Sequence, residues 1–544
     1  PFSFTSSLPF RRFMAQVNPC YQVPPPAFFF EKALPLLHEA VSEQVCREMQ
    51  WAKGSCVHLT VSTAAPDAVV DYVAITAHWG AILPGSRQVA SESPRKQAVL
   101  LVRGLAQDSS LEERQQALQE QVRLWLSRST LRPGFLVSGS CASLEQAVRM
   151  EGYTHIPCFA HCLDSLVRNF LCHHQSIQTI LGTVRAICSH FQGSSGARQL
   201  LSQLQQQCGL PAHQPFWELS DHWVSAYRLM EWLVEHRQPL QEYEEKYQLG
   251  KAGTALSATF WSLMNSLVML LQPFHMVVQE ASTAWATLSQ VLPQLRYLHI
   301  ILEQIHEHFK EQGGSEVSAA IRLAKGLALQ VSTDCQLNEL FHRKEFVLAT
   351  LLDPRFKGKI EAILPMGADI DHWKQVLVYK VKEIMVSDCS LPPSPSPHSP
   401  KTISRSLLLG QRERSLLEQL ESAGLLASER SGASLSTKSH LASIIVKKYL
   451  RDNETIGAQE DPLVYWEKRQ EVWPVLATLA TVYLSCPPTG AFCESVYTSL
   501  DSPAILEHST PLPVETVERL LFLKTNLENF PNYTIPSLLF LSGD

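Results

Sequence analysis

The spacing of apolar residues changes once along this chain, and that change limits the folds open to it. Up to about residue 140 the sequence carries short β-rich runs, "CVHLTVST", "DAVVDYVAITAHWGAI", "AVLLVRGL" and "GFLVSGS", bounded by Gly, Pro, Ser and Asp. An amphipathic helix, "LEERQQALQEQVRLWLSR", precedes the last run. From about Leu144 to Ile384 the period is almost wholly helical, as in "QTILGTVRAICSHF" and "FWSLMNSLVMLLQPFHMVV". Strands followed by a helix and a further strand predict an α/β layer, here interrupted by a long all-helical insertion. A helix is also expected near Glu31, because Leu34, Leu37, Val41, Val45 and Met49 fall on one stripe.

At 544 residues the chain is expected to hold roughly two to four folding units. With 45% apolar and 18% charged residues it reads as globular. Five segments are expected. Residues 1–30, aromatic and proline-rich, form an arm that is disordered in part. Residues 31–185 hold a helix and the first part of the α/β core, and 186–387 the helical insertion. Residues 388–440, containing "DCSLPPSPSPHSPKTISRS" and the Ser/Gly-rich "SERSGASLSTKS", form a linker with a helical segment, because such composition cannot bury enough apolar surface to fold. Residues 441–544 complete the core. No unbroken run of about eighteen apolar residues occurs, and Arg11 and Arg12 follow the short apolar start on the wrong side for a secretory signal. A soluble, intracellular protein is therefore expected, and the odd count of thirteen cysteines suits free thiols. The net charge of −6 does not favour tight, independent binding to nucleic acid.

Two clusters stand out. In "HIPCFAHCLDSL", Cys158, His161 and Cys162 stand at i, i+3 and i+4, which places them on one helix face. A structural zinc would need four ligands, with His155, Cys172, His173 and His174 as the nearest extras, and the spacing matches no finger. A cysteine nucleophile would need an oriented base, for which there is no local signature. The bland reading is a buried helix start with cysteines as small hydrophobes. In "DPLVYWEKRQEVWPVLATLATVYL", read as one helix, Trp466, Trp473, Leu476, Ala480 and Tyr483 form a wide stripe. With Leu521 and Leu523 of "VERLLFLKTNL", it offers either core or an interface.

Taken in order, "FLVSGSCASLEQAV", the Cys-x-x-His helix start at Cys158 and His161, "ELSDHWVSAYRLMEWLVEHR", "LLDPRFK" at 351–357 and the tryptophan/proline block around Trp466–Tyr483 resemble the hAT superfamily of DNA transposases. The resemblance is to its domesticated zinc finger BED domain-containing branch and runs from about Glu31 to Phe530. It implies an RNase H-like core interrupted by a helical insertion domain and completed by a C-terminal segment that dimerises. In active relatives two Asp and one Glu hold divalent metal. The position of the first Asp falls on Ser62 here, or on Val61 if the register slips by one. Gly139 stands where the second belongs, and Glu494 of "TGAFCESVYTS" matches the Glu, followed by Ser495 in place of an Arg.

The resemblance thus implies a catalytically inactive nuclear protein that acts as a homodimer in transcription or chromatin, with no cofactor, no bound metal and no membrane. The dimer contact is expected at Trp466, Trp473, Leu476, Tyr483, Leu521 and Leu523. Trp223 matches a tryptophan that stacks on a flipped base in active relatives, though His222 replaces its Arg partner. Cys158 and His161 are expected as scaffold. The BED finger that carries DNA binding in the family has no counterpart in residues 1–30, so DNA contact is expected to be weak or to rest on a finger outside this chain. The alternative is a residual metal-dependent nuclease that joins Glu494 to a displaced Asp67 or Asp71.

Overall fold

The structure, a computed structural model, describes residues 2–51, 56–64, 70–80, 94–106, 111–127, 132–139, 152–212, 223–247, 256–313, 318–387, 429–490 and 513–530. It is mostly helical and holds one small mixed sheet. The strands are β1 (Cys56–Ala64), β2 (Val70–Gly80), β3 (Arg95–Ala106), β4 (Arg132–Ser138) and β5 (Thr154–Pro157). Their order is β3-β2-β1-β4-β5. β1, β2 and β3 run antiparallel, as a meander, while β4 lies parallel to β1 and β5 parallel to β4.

Central strand β1 is buried on both faces, and its alternation sorts the two sides. Val57, Leu59 and Val61 enter a core with Val45, Met49 and Val122, contributed by α2 (Leu34–Trp51) and α3 (Leu111–Ser127). His58, Thr60 and Ser62 alternate with them and are equally buried. The helix expected near Glu31 is α2, and its stripe residues Leu34, Val41, Val45 and Met49 are buried as the period requires. The arm is helical in part, with a 3-10 turn at Phe2–Ser6 and α1 at Leu8–Val17, in which no side chain is buried.

Beyond β5 the chain is helical: α4 (Phe159–His173), α5 (Gln175–Gly193), α6 (Ser195–Gln207), α7 (Trp223–Glu235), α8 (Arg237–Tyr247), α9 (Ala258–Ala281), α10 (Val291–Gln312), α11 (Ser318–Thr333), α12 (Cys335–Leu340), α13 (Lys344–Leu352) and α14 (Ile370–Ser387). Among the described residues α9 alone is long and apolar enough to cross a membrane, but 56% of its most apolar window is buried, and Trp261, Met264, Leu267, Leu271 and Phe274 lie inside the helical core.

The C-terminal part holds α15 (Glu429–Arg451), α16 (Pro462–Arg469), α17 (Pro474–Leu484) and α18 (Val514–Asn529). Two expectations are corrected here. The Ser/Gly-rich stretch read as linker is helical from Glu429 onward, because it continues into Ala442, Val446 and Tyr449, a fully buried face. The single helix expected from Pro462 to Leu484 is two, since Pro474 has no N–H to donate and starts a new helix behind Trp473. Most of 388–440 lies outside the described residues.

Edge strand β3 is closed by α18. The side chain of Asn526 takes both free backbone groups of Val99: its Oδ1 accepts from the amide at 2.9 Å and its Nδ2 donates to the carbonyl at 2.9 Å. Glu518 Oε1 accepts from the Gly104 amide at 2.8 Å. An open edge invites pairing with other chains, and a covering helix removes it.

Candidate functional site

The ends of β1 and β4 lie side by side, because Leu59 pairs with Leu136 and Thr60 with Val137 in parallel register. Ser62 and Gly139 each follow two residues after the Thr60–Val137 pair, so the two positions share one end of the sheet. They offer a hydroxyl and no side chain, and do not fit a divalent metal that needs carboxylates. Among the described residues, no three or more His, Cys, Asp and Glu side chains gather as a metal site. Asp71 lies in β2, paired with Leu105. Asp67 and Glu494 lie outside the described residues.

Cys158 caps the N-terminus of α4. Its backbone amide donates to Ser138 O at 2.9 Å, and its Sγ lies 3.2 Å from Thr489 Oγ1 and 3.5 Å from the Gly490 amide, which donates to it. The Phe159 amide donates to Pro488 O at 3.0 Å. Residues 486–490 therefore run between the strand ends and the start of α4, satisfying one of its orphan amides. The expected single face for Cys158, His161 and Cys162 is corrected: the two cysteines are buried, whereas His161 is exposed. Burial pushes the Cys162 thiol up to about 12, helped by neighbouring Cys158, which disfavours the thiolate that zinc or nucleophilic chemistry requires. A Cβ at Gly139 would lie 3.3 Å from Cγ and Nδ1 of His161, so the imidazole occupies the space next to that position.

Trp223, at the start of α7, is 3% exposed in the helical core. Stacking on a base needs an open ring face, and this one is covered. The residues of the expected dimer stripe are also covered within the chain. Trp466 and Leu476 have no exposure, Tyr483 has 5%, and Leu521 and Leu523 have 2% and 4%. Trp473 is partly buried against the same core, 6.5 Å ring to ring from Tyr449. These side chains bind the C-terminal segment to its own chain.

The partner in that contact is "LLDPRFK", whose chemistry sequence reading left unassigned. Trp466 Nε1 donates to Leu352 O at 2.8 Å, and its ring lies 5.2 Å from that of Tyr449. Asp353, fully buried, receives the Arg355 fork at 3.0 Å and 2.7 Å and the Ser289 hydroxyl at 2.6 Å. Arg355 also donates to Ala458 O at 3.1 Å. Lys357 donates to Tyr449 O at 3.2 Å, with its ammonium 4.4 Å from the centroid of that tyrosine ring. Burial lowers the pKa of this lysine. A second clasp is Arg95, which forks onto Asp461 through Nε and Nη2, each at 3.0 Å, and donates from Nη1 to Ala286 O at 2.9 Å. The sheet and the helical unit thus meet the C-terminal segment through two arginines: Arg95 by a fork onto Asp461, and Arg355, oriented by Asp353, by its bond to Ala458 O.

The polar face of β1 joins the same segment. The Phe135 amide donates to His58 Nδ1 at 3.0 Å, so the neutral ring carries its proton on Nε2, 3.1 Å from Ser485 Oγ. His78 Nε2 lies 2.9 Å from Thr60 Oγ1. Burial pushes both histidines down to about 3. Gly134 is required here, because a Cβ would sit 2.6 Å from His58 Nδ1.

Comparison with known proteins gives this arrangement a class. Residues 156–270 match the ZBED1 RNase-like helical domain, and residues 444–527 match the hAT family C-terminal dimerisation region. The chain is 34% identical over 553 residues to mouse zinc finger BED domain-containing protein 6, covering all of this chain and 55% of that protein. It is 64% identical over 228 residues to human protein ZBED10P, covering 37% of this chain and 95% of that one. To human zinc finger BED domain-containing protein 4 it is 26% identical over 543 residues, covering 97% of this chain and 42% of that protein. The chain belongs to the hAT-derived zinc finger BED domain-containing family. It spans about half the length of the two BED proteins that it matches end to end.

Proposed function

We propose that the chain is a domesticated, catalytically inactive hAT-derived factor that self-associates through its C-terminal segment and acts in the nucleus in transcription or chromatin regulation. The observation that carries this reading is the match of residues 444–527 to a dimerisation region. Arg95 on Asp461, Arg355 on Ala458 O and Lys357 on Tyr449 O hold that segment against the rest of the chain. The sheet, an antiparallel meander extended by two parallel strands, the first of them reached through α3, supports reading it as an RNase H-like core. Inactivity is supported by Ser62 and Gly139 at its strand ends. On this reading Cys158 and His161 brace the strand ends and the 486–490 loop, without chemistry of their own. The nuclear setting rests on kinship with zinc finger BED domain-containing proteins, and DNA contact is proposed to be weak or to rest on a finger outside this chain.

The test is supercoiled plasmid incubated with the chain and Mg²⁺ or Mn²⁺. No nicking above a no-protein control is expected. Nicking that disappears in Glu494→Gln would overturn the reading in favour of a residual nuclease.

A further inference from the structure

We propose that the outer faces of α14 and α15 form a docking site for an acidic amphipathic helix of a partner protein. In α15 the face formed by Ala442, Val446 and Tyr449 is buried. A neighbouring stripe at i, i+3, i+7 and i+10 points outward: Leu441 and Ile444, 44% and 38% exposed, then Lys448 and Arg451, both exposed. Neither cation belongs to an ion pair among the described residues, whereas Lys374 and Lys380 of α14 are matched to Asp371 and Glu383. The adjoining helix α14 repeats the pattern at i, i+3 and i+7 with exposed Tyr379, Lys382 and exposed Val386.

The charge is local. Residues 429–451 carry five basic residues and one acidic one, in a chain whose net charge is −6. A helix with aliphatic anchors on one side and carboxylates flanking them complements both halves of the stripe. A second copy does not, since it would bring two cationic faces together and supply no carboxylates to offset Lys448 and Arg451. Duplex nucleic acid would use Lys448 and Arg451 but leave Leu441 and Ile444 unused, because phosphates gain nothing from aliphatic side chains.

Binding is measured by fluorescence anisotropy of a labelled peptide helix with Leu at i, i+3, i+7 and i+10 and Glu at the flanking positions. Its counterpart with Lys for Glu and a mixed-sequence DNA duplex serve as competing probes. The Glu peptide is expected to bind and the Lys peptide not. Lys448→Glu with Arg451→Glu, and separately Leu441→Ala with Ile444→Ala, should each weaken binding about tenfold or more. Both pairs lie on the surface, and circular dichroism verifies that they fold. Equal binding of the two peptides overturns the proposal. So does preferential binding of the duplex that only the charge variant abolishes, which would make this a phosphate surface.

Discussion

The residues that decide the C-terminal packing are few. Asp353 is the centre of the first clasp, and removing it leaves the Arg355 guanidinium, 9% exposed, without its counter-charge. Asp353→Ala is expected to cost about 3–5 kcal/mol in urea unfolding, as for other buried pairs broken from one side. A loss under about 1 kcal/mol would mean that water already screens the pair. Trp466→Ala removes a fully buried ring and the bond to Leu352 O, and the same measurement should show a loss of about 3–5 kcal/mol. His58 and His78 make a different prediction. Both are neutral when folded, with pKa values lowered to about 3, so protons bind the unfolded chain first. Their contribution is complete above pH about 6.5 and is lost progressively as pH falls from there toward 3. His78→Gln, which keeps an amide near Thr60, should flatten the fall in urea midpoint between pH 7 and 5. An unchanged slope would show that other groups set the acid limit.

At the scale of elements, α18 closes the sheet edge through one amide. Asn526→Ala leaves the amide and carbonyl of Val99 without partners, which should cost about 2 kcal/mol or more. Hydrogen exchange at the Val99 amide should quicken selectively; unchanged protection would place the edge cover in the apolar contacts of Val517, Leu521 and Phe522 instead. The four long β-rich runs were legible as strands, because alternation and Gly/Pro boundaries agreed along each. β5 was not: Thr154–Pro157 is four residues long, ends in proline, and its place in the sheet comes from pairing with Phe135–Ser138. The helix start at Cys158 was legible as a motif, but not its contact with Thr489, more than three hundred residues away. The tryptophan stripe stayed open between core and interface for a related reason. Periodicity shows that a face is apolar and is silent about whether its own chain or another covers it. Pro474 was the local signal that one helix would become two.

The whole molecule combines strand ends that carry Ser62 and Gly139 with a C-terminal segment packed onto the helical unit and matched to a dimerisation region. Because the large aromatics of that segment are used within the chain, self-association must draw on what remains outside. Substitutions at Trp466 or Leu476 should therefore unfold the protein before they produce a soluble monomer, whereas surface changes should separate the two effects. Light scattering on the folded chain across a range of concentrations measures self-association. A mass near twice the 61.0 kDa of one chain is expected. A mass that stays at one chain at every concentration would contradict self-association and leave the family membership without the activity proposed for it.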